Sequence, residues 1–122
     1  PWPLNGLAIA AGIKIFSNTD DLILWTKKVQ KWVKKEGNWF YSNLKKIEGI
    51  EPLPSSANFF LIKGDVSLIY IQKQLKEQLI LTRDCRSFIG LNENYLRISL
   101  QKHQGNKRII ASLKKIVKEV SA

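Results

Sequence analysis

The strand that decides the fold of this chain is YLRISLQ, residues 95–101. Successive side chains of a β-strand point to opposite faces, and here one face is purely aliphatic. Its members are Leu96, Ile98 and Leu100. Arg97 lies in the middle of the opposite, more polar face. The pattern therefore predicts a strand that buries one face against a core and leaves the other face open.

Apolar spacing predicts further elements on the N-terminal and C-terminal sides of this strand. A dense apolar run predicts a second strand over residues 57–63, and a shorter run predicts a third over residues 80–83. Helical periodicity predicts helices over residues 66–78 and 106–120. Residues 48–56 hold Gly and Pro and are predicted to be a connector. We therefore predict an α+β fold, with an antiparallel or mixed sheet of about three strands and helices packed on one face.

The first part of the chain is predicted to be helical. Residues 4–16 are apolar almost all round, and such a helix must be buried, so we expect it to meet a surface outside this chain. Capping residues near Asn18 predict a second, long amphipathic helix that runs to about Ile47. Gly37 lies inside this pattern and is predicted to bend or split the helix.

Length and composition restrict the class of protein. A chain of 122 residues with 44% apolar residues supports one small globular domain, and its longest apolar run is too short to span a bilayer. A single cysteine and the lack of a signal peptide predict a reducing, cytoplasmic location. The chain has no methionine and opens with Pro1, so we expect it to be part of a longer protein.

The residues that usually carry catalysis are scarce. One histidine, His103, and one cysteine, Cys85, cannot build a metal site of two histidines or a structural zinc site. His103 is predicted to be a solvated turn residue, and Cys85 an unreactive thiol despite its neighbours Asp84 and Arg86. No glycine-rich phosphate loop is present. We therefore predict no catalytic residue and no metal ligand in this chain.

The charge of the chain favours an anionic partner. Twenty basic residues against 10 acidic ones give a net charge of +10, which is typical of proteins that bind nucleic acid or anionic substrates. A small basic nucleic-acid-binding module is therefore an alternative, with Trp32 and Trp39 as stacking groups beside the lysines of residues 27–46. These tryptophans share the apolar stripe of the helix, so we predict that they are buried and that the lysines form a solvated surface.

The arginines are more specific than the lysines. Only four of the 20 basic residues are arginines, and two of them, Arg83 and Arg97, fall on predicted strands. A guanidinium group binds a carboxylate or phosphate through two parallel hydrogen bonds, which an ammonium group does less well. Both a ligand-binding role and a structural ion pair with Asp84 or Glu93 are compatible with the sequence.

Four motifs resemble one enzyme family. LTRDCRSFIGL at residues 81–91, followed by YLRIS at residues 95–99, resembles the C-terminal signature of class I/II pyridoxal-phosphate aminotransferases. PSSANFF at residues 54–60 and PWPLNGLA at residues 1–8 resemble other segments of that family, in the same order. The nearest branches are the threonine-phosphate decarboxylases and the histidinol-phosphate aminotransferases.

The resemblance implies a fold and a domain division. It implies the type I fold of these enzymes, with residues 1–17 as a helical lead-in from a missing N-terminal large domain and residues 18–122 as the C-terminal small domain. It places the cofactor lysine upstream of Pro1, so pyridoxal 5'-phosphate is expected in the intact enzyme and none on this chain. It also implies a homodimer when intact, without membrane or nucleic-acid partners.

The resemblance also implies roles for the two strand arginines. Arg97 matches the arginine that binds the α-carboxylate of the substrate, and Arg83 matches the arginine that contacts the substrate phosphate. The Cys–Phe–Gly–Leu pattern within residues 81–91 favours L-threonine O-3-phosphate decarboxylase of cobalamin biosynthesis. A histidinol-phosphate aminotransferase, or a related class I/II aminotransferase, is the alternative within the family.

Overall fold

The strand predicted from alternation lies in the interior of a four-stranded antiparallel sheet. The computed structural model describes residues 3–120, and its elements follow one another along the chain. In order, they are α1 (Gly6–Phe16), α2 (Thr19–Leu44), β1 (Ile50–Pro52), β2 (Phe59–Gly64), α3 (Ile69–Glu77), β3 (Arg83–Asp84), β4 (Tyr95–Ser99) and α4 (His103–Val120). The strand order is β1-β2-β4-β3, and every neighbouring pair is antiparallel. The predicted α+β class is confirmed.

The sheet has one more strand than the sequence predicts. Residues 48–56 were expected to form a connector, but Ile50–Pro52 pairs with β2, with Ile50 opposite Gly64 and Pro52 opposite Ile62. This strand lies at the edge of the sheet, where a proline is tolerated because only one side of the strand joins a ladder. Because Gly and Pro in residues 48–56 predict a connector, the sequence did not indicate this short edge strand.

The third predicted strand is shorter and begins later than expected. Instead of residues 80–83, only Arg83–Asp84 pairs with β4. The preceding backbone is bound to α3, because the side-chain amide of Gln72 donates a hydrogen bond to the carbonyl of Thr82 at 3.3 Å. Ile80 is buried in the core, so this segment packs against the helix layer before it reaches the sheet.

The core lies on one side of the sheet. The aliphatic faces of β2 and β4 pack with the C-terminal half of α2 and with α3 and α4. Its fully buried large side chains include Phe40, Leu44, Phe60, Ile62, Leu68, Leu75, Ile98, Leu113 and Ile116. The side chains on the other face of β2 and β4 are all exposed or half-buried. The fold therefore presents one open sheet face, as the alternation at residues 95–101 predicts.

Helix α2 is continuous through Gly37, so the predicted split is wrong, and the predicted bend stays a prediction. Gly37 is buried where α2 faces the sheet, and a Cβ atom there would make an ordinary van der Waals contact of 3.5 Å with the ring of Phe60. The helix ends at Leu44, three residues before the predicted Ile47, because the last residues close a tighter turn in which Ile47 N donates to Leu44 O at 2.9 Å.

The chain divides into two compact units, Pro1–Trp32 and Val33–Ala122. In the first unit, Asn5 caps α1 by accepting a hydrogen bond from the amide of Ala8 at 2.8 Å. No side chain of α1 is buried, and the expectation that this apolar helix meets a surface outside the chain stays a prediction. The predicted domain division after residue 17 stays a prediction.

Two further predictions concern the motif at residues 1–8 and the lack of a membrane-spanning segment. Pro1 and Trp2, which open the motif at residues 1–8, lie outside the described residues. Among the helices within residues 3–120, none is both long enough and apolar enough to cross a membrane.

Candidate functional site

The two strand arginines come together on the open face of the sheet. Arg97 is the middle residue of β4, and Arg83 is the first residue of β3. They are direct partners in the antiparallel register. Directly opposite residues of an antiparallel pair point to the same face, with Cβ atoms about 4.5–5.5 Å apart. The two guanidinium groups therefore project from the same side, away from the core.

Neither arginine of this pair is neutralised by a carboxylate. Within residues 3–120, no ion pair involves Arg83 or Arg97. The nearest acid in sequence, Asp84, is occupied by Arg86, whose Nη2 lies 2.6 Å and whose Nε lies 2.9 Å from Asp84 Oδ2. Hydrogen bonds from Arg86 hold the pKa of Asp84 below its usual value. The structural ion pair with Asp84 that the sequence left open is therefore not formed by Arg97.

The two arginines differ in their surroundings. Arg97 is half-buried in the interior of the sheet, while Arg83 is exposed on an edge strand. The guanidinium carbon of Arg97 lies 5.0 Å from the ring centroid of Phe59, a cation–π contact on the same open face. Phe59 belongs to the motif at residues 54–60, but its sequence position alone indicated no role, since the contact crosses two strands.

Lys63 adds a third cation to the open face. It lies opposite Tyr95 of β4 and, on its other side, opposite Glu51 of β1. The excess of positive charge therefore concentrates around Arg83 and Arg97, away from Glu51. Such a face suits a ligand with two anionic groups, because each guanidinium can bind one of them through two hydrogen bonds.

Cys85 has the surroundings of a structural thiol. It is buried directly after β3, and this burial raises the pKa of the thiol, although the nearby charge of Arg97 opposes the shift. A raised pKa leaves little thiolate at neutral pH, and the thiolate is the reactive form. This agrees with the prediction of an unreactive thiol.

His103 is exposed, as predicted, but it begins a helix and does not lie in a turn. It is the first residue of α4, and its Nδ1 lies 3.0 Å from Oε2 of the buried Glu36. The same carboxylate oxygen accepts a hydrogen bond from Asn106 Nδ2 at 3.1 Å, and Asn106 Oδ1 accepts one from the amide of Gln101 at 2.8 Å. These bonds tie α2 to the start of α4, and the sequence did not reveal them because 67 residues separate Glu36 from His103.

The electrostatics of Glu36 follow from this hydrogen-bonded group. Burial by itself would raise the pKa of Glu36, but the hydrogen bonds from His103 and Asn106 outweigh it and lower the pKa below its usual value. In the described part of the chain, no group of three acidic, histidine or cysteine residues could hold a metal ion.

The predicted burial of the tryptophans is correct only in part. Trp39 is half-buried and contacts the ring of His103, but Trp32 is exposed and Trp25 is 62% exposed. The apolar stripe of α2 reaches the core only from Val33 onward, so burial does not extend to the earlier tryptophans. Trp25 and Trp32 are therefore accessible on the surface of α2, and their burial does not exclude nucleic-acid binding.

Similarity to known enzymes bears on the class of protein. No protein-family model matches the chain. Threonine-phosphate decarboxylase of Salmonella typhimurium is 29% identical over 96% of this chain and 31% of its own length. Histidinol-phosphate aminotransferase 2 of Archaeoglobus fulgidus is 31% identical over 95% of this chain and 32% of its own length.

Solved structures show the same relationship. The histidinol-phosphate aminotransferase of Clostridium acetobutylicum superimposes with a TM-score of 0.81 and 27% identity, over 98% of this chain and 35% of that one. The L-threonine-O-3-phosphate decarboxylase of Porphyromonas gingivalis superimposes with a TM-score of 0.77 and 31% identity, over 97% of this chain and 36% of that one.

The chain belongs to the class I/II family of aminotransferases and related decarboxylases. It spans about a third of the length of the curated relatives that it matches. Within this family, the chain corresponds to part of a pyridoxal-phosphate-dependent enzyme, as the resemblance of its motifs implies.

The residues of this chain do not fit the attachment of the family's cofactor. A lysine that bonds to a carbonyl cofactor needs a desolvated pocket that lowers its pKa, whereas every lysine of this chain is exposed. The open face, by contrast, fits the anionic groups of a substrate. The position of the cofactor lysine upstream of Pro1 stays a prediction.

Proposed function

We propose that this chain is the substrate-closing C-terminal domain of a pyridoxal-phosphate enzyme that acts on a phosphorylated amino acid, namely L-threonine O-3-phosphate. The reaction is decarboxylation to aminopropanol phosphate for the side chain of cobalamin. The observation that carries this proposal is the pair Arg83 and Arg97, directly opposite each other on the open face and without carboxylate partners.

The surroundings of the two arginines support one role for each. Arg97 sits in the interior of the sheet, half-buried and beside Phe59, so it suits the α-carboxylate, whose position must be accurate for the chemistry. Arg83 sits at the exposed edge, where it suits the larger and more strongly hydrated phosphate. Threonine phosphate carries these groups on adjacent carbons, so two arginines on neighbouring strands can reach both.

The contribution of this chain to the reaction is orientation of the substrate. When both anionic groups are bound, the substrate cannot rotate freely about the bonds at Cα. The bound orientation then determines which bond at Cα is presented for cleavage. In a decarboxylase that bond joins Cα to the carboxylate carbon, which Arg97 holds.

We infer that the intact enzyme is a cytoplasmic homodimer that binds neither nucleic acid nor membrane.

Transamination of histidinol phosphate is the second candidate, because relatives with that name match the chain at up to 33% identity. Histidinol phosphate carries a phosphate but no carboxylate, so it would not occupy Arg83 and Arg97 in the same way. The amino acceptor 2-oxoglutarate has two carboxylates that could also occupy the two arginines, so the feature that favours the decarboxylase is the Cys–Phe–Gly–Leu pattern within residues 81–91.

The test compares the two reactions in the intact enzyme that contains this chain. Carbon dioxide release from L-threonine O-3-phosphate is measured beside amino-group transfer from histidinol phosphate to 2-oxoglutarate. We expect carbon dioxide release and little transfer. Transfer without carbon dioxide release would establish the aminotransferase instead. Salt-sensitive retention of the protein on immobilised DNA, with neither reaction, would favour the nucleic-acid module.

A further inference from the structure

We propose that Phe59 is a positioning residue for Arg97: its ring holds the guanidinium group so that the donor edge of this group stays available to a carboxylate. This inference rests on the proposed function, because it concerns how the carboxylate-binding arginine is prepared before substrate arrives. It assigns a role to the motif at residues 54–60, which the proposed function leaves without one.

The contact follows from the strand register. Leu61 is the direct partner of Arg97 across β2 and β4, and Phe59 lies two residues further along β2, opposite Ser99. Phe59 is therefore the diagonal neighbour of Arg97 on the open face, a separation that aromatic and long side chains can bridge. The distance of 5.0 Å between the guanidinium carbon and the ring centroid shows that they do so.

The backbone of Phe59 is held in place by the preceding loop. The hydroxyl of Ser55 donates a hydrogen bond to the carbonyl of Phe59 at 2.7 Å and accepts one from the amide of Ala57 at 3.1 Å. The amide of Leu100 donates to the carbonyl of Asn58 at 2.8 Å, which joins the start of β2 to the end of β4. Phe59 therefore starts its strand from a fixed backbone position.

The chemistry of the two groups makes this contact compatible with substrate binding. A guanidinium group stacks on an aromatic ring through its flat face, whereas its N–H donors lie in its plane and point outward. A Phe59 ring that packs on this flat face leaves the N–H donors of Arg97 available to a carboxylate. No described carboxylate pairs with Arg97, and Arg83 opposite repels it, so the contact with the ring of Phe59 is the interaction that positions its guanidinium group in this proposal.

The test measures discrimination between two ligands in the intact enzyme. One is L-threonine O-3-phosphate, and the other is aminopropanol phosphate, used as an inhibitor that lacks the carboxylate. For Phe59→Leu we expect a loss of about 3- to 10-fold in affinity for the first ligand and little change for the second, because one cation–π contact is removed. Phe59→Tyr keeps an aromatic face and should restore the affinity.

Controls separate this role from a structural one. Tyr70→Leu removes another exposed ring, on α3 in the helix layer, and should leave both affinities unchanged. Equal losses for the two ligands in Phe59→Leu, or no rescue by Phe59→Tyr, would overturn the positioning role, and melting temperatures report whether each variant is folded. If Arg97→Lys reduces carboxylate binding while Phe59→Leu does not, only the positioning role fails. If Arg97→Lys does not reduce it, the proposed function fails as well.

Discussion

Arg83 and Arg97 face each other across the β3–β4 pair, on the side of the sheet away from the core. Like charges directly opposite each other destabilise an antiparallel pair, and no described carboxylate relieves this repulsion. The acid that could do so, Asp84, is bound by Arg86. The arrangement therefore leaves two guanidinium groups without carboxylate partners, as the proposed binding of a ligand with two anionic groups requires.

Arg97→Lys in the intact enzyme keeps the positive charge but removes the guanidinium group, which can donate two parallel hydrogen bonds to one carboxylate. We expect kcat/KM to fall by about 2–4 kcal/mol of transition-state stabilisation, the range found when one partner of a buried charge pair is disturbed. Steady-state kinetics with the phosphorylated amino acid measure this loss. Lys63→Arg, on the same face, changes another exposed cation and provides a comparison. An unchanged kcat/KM for Arg97→Lys would remove Arg97 from the carboxylate role.

Arg83→Ala should discriminate between substrates by their phosphate. We expect a loss of about 10- to 100-fold in kcat/KM for the phosphorylated substrate, since hydrogen bonds to charged groups contribute about 1.5–3 kcal/mol. An unphosphorylated analogue should lose far less. The measurement is the ratio of kcat/KM for the two substrates in the variant and the parent enzyme. Equal losses for both would assign Arg83 a structural role.

Pyridoxal 5'-phosphate added to this chain alone should form no stoichiometric covalent adduct, and the chain alone should not turn over a phosphorylated amino acid. The reason is that every lysine of the chain is exposed, whereas cofactor attachment needs a desolvated lysine. Absorbance spectra and intact mass after borohydride reduction test this. A single modified lysine together with turnover would contradict it.

The hydrogen-bonded Glu36 should make stability depend on acid pH. The pKa of Glu36 is lower in the folded protein than its usual value, so its ionised form stabilises the fold above that usual value. This contribution is lost as the pH falls through the lowered pKa. We expect Glu36→Gln to lower the free energy of unfolding by about 1–3 kcal/mol at neutral pH.

Urea unfolding at several pH values tests the role of Glu36. The difference between Glu36→Gln and the parent chain should shrink as the pH falls, because both then lack a charge at this position. Glu48→Gln, an exposed acid on the connector before β1, is the matched control and should have little effect at any pH. A difference that is independent of pH would show that packing, and not the charge of Glu36, stabilises this contact.

Local patterns were sufficient to predict much of the fold. Strict alternation identified β4 and its buried face, and helical spacing identified α3 and α4, because both signals come from residues close together in the chain. The short edge strand Ile50–Pro52 escaped prediction, since its pairing depends on β2 and not on its own residues. Arg83 and Arg97 were identified through motif resemblance, and Phe59 was not, because its role depends on a diagonal contact between strands.

The sequence by itself determined the α+β class, the open and the buried face of β4, and the family resemblance. These depend on local periodicity, residue chemistry and motifs that can be read along one segment. Only the tertiary structure decided that Arg83 faces Arg97 and that Asp84 is bound by Arg86. It also decided that His103 reaches Glu36 across 67 residues. Strand register and helix packing bring distant segments together, and this proximity is not a property of any one of them.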